Sequence, residues 1–170
     1  MTTGLFLGRF QPFHRGHLEV VREMAGQVDK LIIAIGSAQE SHTLEDPFTA
    51  GERHLMISES LDNEGIRNYH LIPIVDINRY SIWVAHVRSL VPPFEIIFTN
   101  NDLTARLFAE AGIEVRRTKL YNREIYSGKI VRKTLASGGD WRSLVPEGTA
   151  SVVEKLDGEK RLKELAGESQ

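Results

Sequence analysis

Ten residues near the start of the chain, Gly8-Arg9-Phe10-Gln11-Pro12-Phe13-His14-Arg15-Gly16-His17, gather two imidazoles, two guanidiniums and two glycines. They follow the apolar run Gly4-Leu5-Phe6-Leu7, which reads as a buried strand, and a helix is expected to start near Gly16. A strand that breaks into a glycine-bearing loop and then a helix N-terminus makes an anion site, because free backbone N–H groups and the helix dipole converge there. Glycine at positions 8 and 16 is expected to let the backbone approach a phosphate closely. A lone histidine would be read as a cap or a core filler. Two around one glycine, beside Arg9 and Arg15, point to nucleotide phosphate.

A second candidate lies in the basic run Arg116, Arg117, Lys119, Arg123, Lys129, Arg132 and Lys133, opposed only by Glu124. A solvated face is the ordinary reading of such a run. Within it, Tyr126-Ser127-Gly128-Lys129-Ile130-Val131-Arg132 places an N-cap serine, a glycine and, one turn on, an arginine suited to bidentate contact. That is a second helix N-terminus able to hold phosphate oxygens. A third candidate is Asp76-Ile77 at a strand end, followed by Trp83. An indole face suits a pyridine or purine ring and attracts a cationic one, although a structural tryptophan is the competing reading.

These groups need a scaffold. Leu18, Val21, Met24 and Val28 recur at helical spacing, and Leu31-Ile32-Ile33-Ala34-Ile35-Gly36 is an unbroken apolar run suited to a parallel strand covered on both faces. Strand, helix, strand in that order is a right-handed βαβ unit. Ligands of such sheets lie beyond the carboxyl ends of the strands, so Gly36 and Ser37 join the candidates. Thr49-Ala50-Gly51-Glu52 has capping-box spacing and opens a helix carrying Arg53, either a ligand contact or one half of an exposed Glu-Arg pair. Tyr69 to Val75 reads as a third strand, at an edge because of Pro73. Glu95 to Thr99 and Ile113 to Arg116 supply two more, with Asn100-Asn101-Asp102 after the fourth. The expected fold is α/β, a Rossmann-like doubly wound parallel sheet of about five strands with helices on both faces. One domain is expected, with the core in residues 1–139 and a short helical extension in 140–170.

Composition narrows the function classes. Hydrophobic residues make up 41% of 170, enough for a real core, and a formal net charge of −2 argues against a dedicated nucleic-acid binder. The absence of cysteine removes disulfides and thiolate metal sites. Met1-Thr2-Thr3 runs straight into an apolar strand, and no apolar run approaches membrane length, so a cytoplasmic protein without membrane or nucleic-acid partners is expected.

The string from Gly8 to His17, with His14-Arg15-Gly16-His17 as an HxGH signature, resembles nicotinamide-nucleotide adenylyltransferases of the archaeal type. The resemblance extends to Pro47-Phe48-Thr49-Ala50-Gly51-Glu52-Arg53 and to Tyr126-Ser127-Gly128-Lys129-Ile130-Val131-Arg132, and it covers Gly4 to about Leu165. It departs at Lys129, where the family has threonine, and at Asn100, where it usually has glycine. What it implies is adenylyl transfer from ATP to nicotinamide mononucleotide (NMN), giving NAD and pyrophosphate, with Mg²⁺ carried mainly by the phosphates. His14, His17, Arg9 and Arg132 would carry the catalysis. Gly8, Phe10, Gly16, Ser127, Gly128, Lys129 and Asn101 would bind ATP. Gly36, Ser37, Arg53, Asp76, Ile77 and Trp83 would bind the mononucleotide. A homo-oligomer, a hexamer among the options, is also implied. The rivals are an HxGH enzyme for phosphopantetheine, riboflavin phosphate or a small phosphorylated alcohol, and a regulator that binds nucleotides without turning them over. A tRNA-charging enzyme lacks the chain length here for an anticodon domain.

Overall fold

A computed structural model describes residues 1–119 and 125–168; Arg123 and Glu124 of the basic run lie outside them. The strands are β1 (Thr3–Gly8), β2 (Lys30–Ile35), β3 (Tyr69–Pro73), β4 (Ile96–Phe98) and β5 (Glu114–Arg116). The α-helices are α1 (Arg15–Ala25), α2 (Ala50–Asn63), α3 (Trp83–Leu90), α4 (Asp102–Glu110), α5 (Gly128–Ser137), α6 (Glu147–Lys155) and α7 (Gly158–Glu168). All five strands pair in parallel in the order β3-β2-β1-β4-β5. The order reverses between β1 and β4, and a doubly wound sheet opens its ligand crevice at that switch point.

Alternation along the strands sorts side chains onto two apolar layers. On β2, Leu31, Ile33 and Ile35 join one core cluster, and Ile32 and Ala34 join the other. The first layer collects α1, α2, α5, α6 and α7 residues such as Val21, Met56, Val131, Val153 and Leu162. The second collects Val87 of α3 and Phe108 of α4. Helices thus cover both faces, which is why the strands are apolar runs and not alternating ones. Pro73 closes β3 at the sheet edge, where its missing N–H costs no ladder bond, and the next residue, Ile74, donates to the Ile35 carbonyl (2.8 Å). Helix α1 ends at Ala25, earlier than the apolar spacing to Val28 suggests, yet Val28 is still buried from the connecting turn.

The C-terminal segment is built into this body. Trp141, Val145, Val153 and Leu162 belong to the first core layer. Buried Thr149 donates its hydroxyl to the Phe13 carbonyl (2.8 Å), a bond of about 1 kcal/mol that ties α6 to the loop after β1. Arg161 of α7 grips both oxygens of Glu52 (2.7 and 2.9 Å) and donates to the Pro47 carbonyl. The tail therefore braces the ends of the loops that carry the site. Among the described residues, no helix is long and apolar enough to cross a membrane.

Candidate active site

His14 and His17 form a reciprocal cap on α1. His14 Nδ1 accepts the His17 backbone N–H (3.3 Å), and His17 Nδ1 accepts the His14 backbone N–H (3.1 Å). Two of the helix's orphan donors are satisfied by imidazole, in the geometry usually made by Ser/Thr and Glu. The arrangement assigns the tautomer: with both Nδ1 atoms accepting, each neutral ring carries its proton on Nε2 and presents one N–H donor. The rings stack 3.6 Å apart, and Phe13 and Phe10 support His17 with centroids at 5.5 and 4.9 Å. Burial, then the positive charge of Arg132, lowers the His14 pKa to about 4. Burial, then His14, holds His17 well below the usual value. The unliganded pair is therefore neutral at pH 7, and an arriving polyanion would raise both values.

The small residues of the loop make room for those rings. A Cβ at Gly8 would lie 2.7 Å from the Phe10 ring, and one at Gly16 would lie 2.9 Å from His14 and 3.3 Å from Tyr126. At both glycines the space is used by the side chains that hold the site, Phe10 at Gly8 and His14 and Tyr126 at Gly16. Phe10 adopts a left-handed backbone (φ 53) and is almost wholly buried, so its ring props up the histidines while its backbone turns the loop. That conformation costs about 1–2 kcal/mol, an amount the burial of a phenyl ring can offset. Gln11 clamps the loop from behind. Its amide donates to the Phe48 carbonyl and accepts the Phe48 N–H, each at 2.9 Å.

Helix α5 faces this loop. Ser127 accepts the Ile130 N–H (3.2 Å) as the N-cap, and Arg132 donates to the Gln11 carbonyl (2.9 Å). Burial, then Arg9, lowers the Arg132 pKa. His14, Gly16, His17, Ser127 and Gly128 line one cleft of about 490 Å³ at the switch point, with Phe6 and Leu7 of β1 and Thr99, Asn100 and Asn101 beyond β4. Two helix N-termini thus open onto one crevice. Arg9, half exposed, rests 3.3 Å from Asp46 Oδ1, so a phosphate would have to compete with that carboxylate for it.

Several expected contacts fall elsewhere. Lys129 is exposed and lines a different cleft, with Glu45, Arg132 and Lys133. One residue past Gly128 the helix has turned by about 100°, which carries Lys129 off the histidine side. Arg15 donates to the Ser143 carbonyl (3.0 Å), seating the tail and not a phosphate. Asn101 lines the main cleft, but its Oδ1 caps α4 by accepting the Thr104 N–H (2.9 Å). Asn100, in place of the family's glycine, clips β4 to β5. Its amide donates to the Thr118 carbonyl and hydroxyl, both at 2.8 Å, and accepts the Thr118 N–H at 2.9 Å.

Arg53 departs furthest from expectation. It is 0% exposed, and its five N–H donors all end on backbone carbonyls. Nε donates to Thr49, Nη1 to Arg9 and Gly36 (2.9 and 2.8 Å), and Nη2 to Ser37 and Glu40 (3.2 and 3.3 Å). No donor is left for a ligand, so the expected ligand contact is corrected to a loop staple, and the exposed Glu-Arg pair is corrected as well.

Asp76, Ile77 and Trp83 follow the edge strand β3 and are not among the residues of the histidine cleft. Asp76 is exposed and held by Gln39, whose amide donates to Asp76 Oδ2 (2.9 Å) and accepts its N–H (3.0 Å). Half-buried Trp83 meets Phe108 edge to face at 5.6 Å. Leu7, which lines the cleft, packs on the same apolar cluster as Trp83. Gly36 donates to the Gly8 carbonyl (2.8 Å), and Ser37 takes a left-handed turn (φ 45) between the two loops. The amide clamps at Gln11, Gln39 and Asn100 had no sequence signal beyond a polar residue near a strand end.

A family model described as cytidylyltransferase-like matches residues 5–134. A nicotinamide-nucleotide adenylyltransferase of Archaeoglobus fulgidus is 53% identical over 167 residues, covering 95% of this chain and 96% of that protein. One of Methanothrix thermoacetophila is 49% identical over 166 residues, covering 98% and 97%. Among solved structures, a bifunctional NMN adenylyltransferase/ADP ribose pyrophosphatase of Francisella tularensis, complexed with AMP and a manganese ion, superposes with a TM-score of 0.80 at 22% identity. That match covers 99% of this chain and 52% of the other, and it supports the fold.

Proposed function

Because the chain belongs to the nicotinamide-nucleotide adenylyltransferase family within the cytidylyltransferase-like group, we propose that its cleft joins ATP to nicotinamide mononucleotide, making NAD and pyrophosphate. The observation that carries the reading is the pair of helix N-termini lining one cleft, with His14 and His17 on one and Ser127 and Gly128 on the other, while Arg132 reaches from α5 to the Gln11 carbonyl of the first loop.

In this reading one oxygen of the mononucleotide phosphate attacks the α-phosphorus of ATP in line. The bond from that phosphorus to the β-bridging oxygen breaks, and its electron pair leaves with pyrophosphate. A phosphomonoester has a second pKa of about 6, so the nucleophile is already ionised at neutral pH and needs no general base. The protein's contribution is positioning and stabilisation of developing charge. The Nε2–H groups of His14 and His17 donate to α/β-phosphate oxygens, Arg9 moves from Asp46 to the reacting phosphates, and Ser127 with Arg132 holds the far end. Asp76, the Ile77 backbone and Trp83 receive the mononucleotide, with Gly36 and Ser37 forming the floor between.

Mg²⁺ is proposed to enter on the triphosphate and neutralise part of its charge, held by phosphate oxygens and water. Among the described residues, no group of three or more His, Cys, Asp or Glu side chains is placed to hold a metal.

The test is pyrophosphate release from Mg-ATP with nicotinamide mononucleotide, nicotinic acid mononucleotide, phosphopantetheine or riboflavin phosphate supplied singly. Release with the first, with NAD as co-product, is expected. Release only with phosphopantetheine or riboflavin phosphate would keep the ATP site and overturn the assignment of Asp76 and Trp83. ATP binding without turnover on any of the four would make the protein a nucleotide-binding regulator.

A further inference from the structure

We propose that Arg53 is a positioning residue that sets the spacing between the two substrates, an inference that rests on the reaction assigned above. The guanidinium spans two loops with different tasks. The Arg9 carbonyl belongs to the phosphate loop after β1, and the Gly36, Ser37 and Glu40 carbonyls belong to the loop after β2. The second loop carries Gln39, whose amide grips both the backbone and the carboxylate of Asp76. A continuous hydrogen-bonded path therefore runs from the phosphate loop through Arg53 to the residues proposed to hold the mononucleotide.

The chemistry of the group explains why arginine stands there. Its fork presents five donors in a rigid plane, enough to fix two loops at once, whereas a lysine ammonium has three donors radiating from one point. Its charge is buried with no carboxylate among the described residues in hydrogen-bond contact; five carbonyl dipoles solvate it in place of water. An interaction of this kind is expensive to leave half made, so the loops are held at one separation. In-line attack requires that, because displacing a reacting group by about 1 Å can cost about 100-fold in rate.

The experiment compares the parent chain with Arg53→Lys, Arg53→Gln and, as a one-loop control, Gln39→Leu. For each, kcat and the KM of both substrates are measured beside Tm and the far-UV CD spectrum. Arg53→Lys is expected to stay folded, to lose about 100-fold in kcat at saturation and to raise the KM of both substrates. Gln39→Leu is expected to raise the KM of the mononucleotide alone. A lowered Tm in Arg53→Lys with kcat and both KM values within about twofold of the parent would make Arg53 merely structural.

Should neither Arg53 variant fold, amide hydrogen exchange on the parent decides. Mononucleotide alone is expected to slow exchange in residues 8–14, and a non-hydrolysable ATP analogue alone in residues 37–40. Loss of both cross-effects would overturn the proposal. A parent that makes no NAD would overturn the reaction and leave Arg53 to stand or fall on whether the ATP analogue slows exchange in residues 37–40.

Discussion

The histidine cleft, proposed as the phosphate side of this molecule, and the Asp76–Trp83 region, proposed as its nicotinamide side, are built by different rules. On the phosphate side most groups are at least half buried and are stacked or hydrogen-bonded to one another: His14 and His17 cap α1 together, Phe10 and Phe13 pack against His17, and Arg132 crosses to the opposite loop. On the nicotinamide side Asp76 is exposed, and its side chain is held by one glutamine. The contrast follows from the two jobs proposed. Stabilising a transition state needs donors whose reorganisation is complete in advance. Recognising a flat aromatic nucleotide needs an accessible face that the ligand itself covers. Changes on the first side should therefore act on kcat, and changes on the second on KM.

The largest effect is expected at the histidines. His17→Ala should lower kcat by about 10²–10³-fold, the usual cost of losing one preorganised donor at a developing negative charge. His14→Asn makes a sharper test, because asparagine is a good N-cap. It should leave Tm near that of the parent and still lose about 100-fold in turnover. His14→Ala should lose both, with about 1 kcal/mol of stability from the missing cap. Near-parental kcat in His14→Asn would reduce the ring to its capping role and erase the contrast.

Acid should also separate the two sides. His14 titrates at 6.5 when unfolded and at about 4 in the fold, so between those values the unfolded chain binds more protons. The stability associated with keeping this ring neutral is intact above pH 6.5 and is lost as pH falls to about 4, in total about 3 kcal/mol. A Tm series from pH 8 to 4 should show this decline, and it should be shallower in His14→Asn. Equal slopes for the two chains would assign the acid sensitivity to other groups.

On the nicotinamide side, Trp83→Ala should raise the KM for nicotinamide mononucleotide by about 10-fold while that for ATP stays within about twofold, the scale of a partly desolvated cation–π contact. An equal rise in both would place Trp83 in the packing against Phe108 and not in recognition. The smallest effect is expected from Lys129→Thr, which restores the family's residue on a face turned away from the histidine cleft. Steady-state parameters should move by less than about threefold. A larger change would mean that Lys129, and not only its neighbour Arg132, takes part in phosphate binding.

The sequence determined the architecture. Unbroken apolar strands require cover on both faces, a βαβ start requires parallel neighbours, and Pro73 could only sit on an edge; the sheet order, the parallel pairing and the two core layers agree with all three. It also marked both helix starts proposed to bind phosphate, because capping residues and glycines act over three or four positions of chain. Tertiary structure decided the rest, because that depended on contacts between residues remote in sequence. Arg53 reads as exposed beside Glu52, yet it is buried because five carbonyls from Arg9, Gly36, Ser37, Glu40 and Thr49 converge on it. Lys129 reads as part of a phosphate motif, and the turn of α5 sends it to another face. The neutrality of the two histidines depends on burial beneath loops drawn from across the chain. Local pattern named the chemical groups, and long-range packing set their charge, their partners and the direction they face.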